Sequence, residues 1–106
     1  MLRTVETIES AAKRRLERNE RIHEINSNYL LRKKRVQIEF IEAECISQME
    51  ICETKSERSR VVKERDEKME RCLSEYRKKL ERERIRYNEE KKAVQQWKEG
   101  ELKNIT

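Results

Sequence analysis

Cys45, Cys52 and Cys72, spaced C-x6-C-x19-C, and the single histidine, His23, are the side chains best suited to bind a metal or act as nucleophiles. Zinc sites draw their ligands from paired, closely spaced Cys and His residues, and no such set closes around these four. Cys45 and Cys52 fall on an apolar seam and read as small hydrophobes in a reducing compartment. Cys72 falls at its edge, where solvent can reach it. His23 stands alone on a polar stretch and reads as solvated. The Glu-rich segments place carboxylates in pairs at helical spacing, but nothing implies a concavity that would raise a carboxyl pKa. The chain therefore reads as a non-enzyme, with no catalytic residue, metal or cofactor. Two modification patterns are of low specificity. Arg58-Ser59-Arg60 suits a basic-directed kinase, whose phosphate would soften repulsion between the arginines. Asn104-Ile105-Thr106 has the form of a glycosylation sequon, which counts only in a secreted chain.

What must position these residues is helix. Of 106 residues, 46% are charged, 34% hydrophobic and 5% aromatic, with no proline and one glycine, Gly100. That leaves room for one small domain with little compact core, in a composition of strong helix formers. High charge and low hydrophobicity also mark disordered chains, but periodicity argues for helix. With Ile38 at heptad position a, the a positions include Cys45, Cys52, Leu73, Leu80, Tyr87 and Val94. The d positions include Ile41, Val62, Met69, Tyr76 and Trp97. The seam is interrupted from Lys55 to Ser59 and at Glu83 and Glu90. The expected fold is all-α: one long helix or a two-helix hairpin, forming a coiled coil or helical bundle with partner chains.

The flanks of the seam are basic. Arg58, Lys63, Arg65, Arg77, Lys79, Arg84, Arg86, Lys91 and Lys98 occupy e and g positions, and Glu70 is the one acid among them. A parallel homodimer through residues 58–98 would set Arg58 against Lys63, Lys79 against Arg84 and Arg86 against Lys91. An antiparallel homodimer does no better there, so pairing with a different, acidic and apolar chain is expected. The seam residues Ile38, Ile41, Cys45, Val62, Met69, Leu73, Tyr76, Leu80, Tyr87, Val94 and Trp97, with these nine basic side chains, form the expected partner-binding set. Trp97 is the expected anchor.

Charge is banded along the chain. Residues 1–35 hold ten basic and five acidic side chains, residues 36–53 hold five Glu and no base, and residues 54–106 hold seventeen basic and twelve acidic. Such banding suggests separate contact zones. In the middle zone Tyr29, Val36, Phe40 and Ala43 share one stripe, while Leu31, Ile38, Ile41, Cys45, Met49 and Cys52 lie on roughly the opposite one. A helix apolar on two faces is expected to have neighbours on both. Four segments follow: an N-terminal amphipathic helix (1–28), a two-faced acidic helix (29–53), a basic-flanked heptad segment (54–99) and a tail (100–106). Thr4 marks the helix start, and Thr54-x-x-Glu57 has the form of a capping box. Asn26-Ser27-Asn28 is a second candidate break, and Gly100 is placed to cap an exit near Glu99.

No apolar run approaches the ~20 residues that span a bilayer. Glu6, Glu9 and Glu17 argue against mitochondrial import, so a cytoplasmic or nuclear location is expected. The functional expectation is a non-catalytic scaffold or adaptor subunit of a hetero-oligomeric assembly. Its expected setting is cytoskeletal, at a microtubule, centrosome, axoneme or kinetochore. The alternative is a basic helical nucleic-acid binder, for which the net charge of +5 and the run Arg32-Lys33-Lys34-Arg35 speak. Against it, these bases border an apolar seam and alternate with Glu elsewhere.

Overall fold

The computed structural model describes residues 4–105, and among them every element is helical. Helix α1 runs Val5–Ile51 and helix α2 runs Lys55–Ile105. Both starts are written in local side chains. Thr4 and Thr7 cap each other reciprocally: the Thr7 amide donates to Thr4 Oγ1 at 3.2 Å and the Thr4 amide to Thr7 Oγ1 at 3.0 Å. At the turn, the Glu57 amide donates to Thr54 Oγ1 at 3.1 Å while Glu57 Oε2 accepts from the Glu53 amide at 2.9 Å. One donor that a helix start leaves orphaned, the Glu57 amide, is thereby satisfied, and so is the amide just before the cap. The sequence thus turns where its capping box stands, and the chain is a helical hairpin.

The two other expected breaks are not breaks. Asn26, Ser27 and Asn28 are helical, and the Asn26 amide is engaged by Glu83 on α2 at 3.1 Å instead of competing for its own backbone. Helix α2 continues through Gly100, with no left-handed residue there. One glycine costs a helix only about 1 kcal/mol relative to alanine, too little to stop one that has good helix formers on either side.

The helices pack in two compact units. The turn unit comprises Asn28–Leu80, and the terminal unit combines residues 4–27 with residues 81–105. In each, residues later in α1 meet residues earlier in α2, so the pairing is antiparallel. In the turn unit Lys34 lies over the ring of Tyr76, Cys72 reaches Gln37, and Lys68 reaches Glu44. In the terminal unit Arg15 meets Glu90, Asn19 meets Arg86, and His23 meets Glu83. The buried core is small: Cys45 and Cys72 in the turn unit, Ile8, Ala12 and Val94 in the terminal unit.

Candidate interaction surfaces

The seam of α2 lies against α1 of the same chain, shifted by part of a turn from its expected centre. In the turn unit Cys45 is buried, and Ile38, Ile41, Val62, Met69, Leu73, Tyr76 and Leu80 are half-buried; in the terminal unit Val94 is buried, with Tyr87 and Trp97 half-buried. The buried strip of α2 also takes in the g row. Cys72, at one of those edge positions, is buried with its thiol donating to Gln37 Oε1 at 3.4 Å, not open to solvent. Arg65, Lys79 and Arg86 of the same row, and Lys98, are half-buried, whereas Arg58, Lys63, Arg77, Arg84 and Lys91 stay exposed. An antiparallel pair shares a wider strip than a strict a/d seam, and that widening draws the g side chains inward.

The interruptions of the seam at Glu83 and Glu90 are filled by polar partners. In the terminal unit Glu83, 8% exposed, accepts from Arg86 on its own helix at 2.7 and 2.9 Å, from the Asn26 amide at 3.1 Å, and faces His23 Nδ1 at 3.2 Å. The guanidinium of Arg86 foremost, then Asn26 and His23, hold the Glu83 carboxyl down to about 2 from an ordinary 4.5, against the opposing effect of burial. Asn19, 2% exposed, donates to the Tyr87 carbonyl at 3.0 Å and accepts from Arg86 at 3.0 Å. The His23 and Tyr87 rings stack with centroids 4.3 Å apart. The Tyr87 hydroxyl donates to Glu20, which raises its pKa. Arg15 closes the cluster with a 2.8 Å ion pair to Glu90.

His23 is thus a partnered residue of the helix interface, not a solvated one. Sequence reasoning missed this cluster, although a signal was present. Arg15, Asn19, His23 and Asn26 recur every three or four residues and so form a polar stripe facing the two acidic d positions. Chemically the cluster positions helices. No buried side-chain polar atom among the described residues lacks a partner, and no group of three His, Cys, Asp or Glu is gathered to hold a metal.

The two apolar faces of α1 fare differently. Cys45 is buried and Leu31, Ile38, Ile41 and Met49 are half-buried, as is Cys52 just past the helix end, but Tyr29, Val36 and Phe40 are 62%, 64% and 71% exposed. Within the turn unit the second neighbour expected from the two-faced pattern is not α2, which serves only the first face. Beside the exposed face lies an open groove of about 490 Å³, lined on α1 by Val36, Gln37, Phe40, Ile41 and Glu44 and on α2 by Lys68, Arg71, Cys72 and Glu75. Two of its charged side chains, Lys68 and Glu44, pair with each other across the helices at 3.1 Å. No described helix is long and apolar enough to cross a membrane. No protein-family model, curated protein or solved structure matches the chain.

Proposed function

We propose that the protein is a non-catalytic helical scaffold or adaptor that joins a larger protein assembly by laying the outer face of α2 against an acidic surface. The observation that supports this reading is the exposed row Lys63, Arg77, Arg84 and Lys91, which recurs at heptad spacing along α2 and is broken only by Glu70. The apolar seam is engaged within the hairpin, so these outward charges, more than the seam, face a partner. Such a row steers and orients an acidic partner, in a way that salt weakens. An acidic filament such as the microtubule fits this chemistry, in the cytoplasm or nucleus. Phosphate of a nucleic acid is the competing ligand.

Co-sedimentation of the full chain with microtubules at low and physiological salt tests the proposal, with an equal mass of duplex DNA as competitor. Replacing Arg77, Arg84 and Lys91 together by Glu is expected to lose binding while circular dichroism stays helical. Binding that survives this triple reversal overturns the role of the row. Release by DNA at stoichiometric amounts moves the assignment to nucleic acid.

A further inference from the structure

The exposed face of α1 in the turn unit is complementary to itself. Tyr29, Lys33, Val36, Phe40 and Ala43 succeed one another at intervals of three and four residues, the spacing of a helix-packing stripe. Tyr29, Val36 and Phe40 are mostly exposed. One edge of the stripe carries Arg32 and then, seven residues on, Glu39, both exposed. The face is therefore basic at its start and acidic at its end. Lys34 is not part of it, since its ammonium lies 4.5 Å from the centroid of the Tyr76 ring, toward α2.

We propose that this face pairs with the same face of a second copy, antiparallel, about a twofold axis passing between Lys34 and Arg35. In that register Tyr29 of each copy stacks on Phe40 of the other. The aliphatic stem of Lys33 covers Val36 of the other copy. Edge positions in an antiparallel pair meet their own row, so Arg32 of each copy faces Glu39 of the other. Every contact occurs twice, as an isologous interface requires. A parallel pairing would instead set Lys33 against Lys33 within the stripe and would take Arg32 away from Glu39, so it loses both attractive pairs and adds a repulsion. A foreign helix has no such requirement to match this face in both directions at once. The interface is small, of the class that gives micromolar association. It lies outside residues 58–98, where like charges oppose self-pairing, and it is independent of the basic row of α2, so either proposal can fail without the other.

Sedimentation equilibrium of the full chain, from low micromolar to several hundred micromolar at physiological salt, tests the pairing. A monomer–dimer equilibrium is expected. Arg32→Glu alone and Glu39→Arg alone each turn two attractive pairs per dimer repulsive and should raise Kd about tenfold. The double swap, Arg32→Glu with Glu39→Arg, should return Kd to within about threefold of the original. Circular dichroism checks that each variant keeps its helix. A chain that stays monomeric throughout overturns the proposal and leaves the face to another protein. So does a dimer indifferent to the single reversals, or one that the swap does not restore.

Discussion

The terminal and turn units are built from the same two helices but held by different forces. In the terminal unit the helices are joined by a connected polar network: Glu83 with Arg86, Asn26 and His23, Asn19 with Arg86 and the Tyr87 carbonyl, Arg15 with Glu90. In the turn unit the cross-helix polar contacts are separate ones, Lys68 with Glu44, Cys72 with Gln37 and Lys34 over the Tyr76 ring, beside a mostly aliphatic seam and an open groove. Apolar packing tolerates a slide along the helix, because one half-buried aliphatic side chain replaces another. A carboxylate that needs a guanidinium, an amide and an imidazole at the same time does not. The terminal unit specifies register and also holds the most buried apolar side chains, Ile8, Ala12 and Val94, whereas the turn unit has a half-buried seam and an outward apolar face. Moving α2 by one heptad would bring Glu90 to the place of Glu83, with Ala93 where Arg86 should be. That leaves a buried carboxylate without its cation, a penalty of several kcal/mol.

The strongest challenge to this contrast is Val94→Asp. It puts a charge in one of the two fully buried apolar sites of the terminal unit, beside Ile8 in degree of burial, and should cost about 3–5 kcal/mol, read as a lowered melting temperature by circular dichroism. Leu73→Asp, at a half-buried site of the turn unit, should cost about half as much. The reverse ranking would break the comparison.

Next comes Glu83→Ala, expected at about 2–3 kcal/mol because three donors lose their shared acceptor. Replacing the whole network, Asn19, His23, Asn26, Glu83 and Arg86, together by apolar residues should restore stability yet broaden the amide spectrum through mixed registers. The same carboxylate sets an acid dependence. Its folded pKa lies near 2, below an unfolded value near 4.5, so its contribution is complete above pH 4.5 and disappears as pH falls from there toward 2. Urea melts across that window should show the slope, and Glu83→Gln should flatten it. The smallest effect belongs to the turn unit. Lys68→Ala removes a partly exposed ion pair with Glu44 and should shift stability by no more than about 0.5 kcal/mol.

Much of the fold was legible because it rests on local chemistry. The Thr4 cap, the Thr54 box and the alternation of seam residues are each decided within one or two turns of helix, and the structure uses all three. Asn26 and Gly100 misled for the complementary reason. Their intrinsic preference for breaking a helix is about 1 kcal/mol or less, and a partner 57 residues away in sequence, or strong neighbours, outweighs it. The polar cluster was least legible, since Glu83 looks like a fault in the heptad until Asn26 and His23 are brought opposite. The inward turn of Cys72 and Arg86 likewise depends on the antiparallel register, which a single helix pattern does not encode.

The capped turn at Thr54 also orders events in time. Lys68 and Glu44 are 24 residues apart along the chain, and Arg15 and Glu90 are 75. Closing the longer loop first would cost about 1 kcal/mol more chain entropy, so we expect pairing to begin at the turn and zip outward. Pulse-labelled hydrogen exchange should find amides near Gln37 and Lys68 protected before those near Arg15 and Glu90. The seam nearest the turn then forms while sliding is still inexpensive, and the Glu83 cluster closes after it, as a proofreading step that arrests only the correctly aligned zipper.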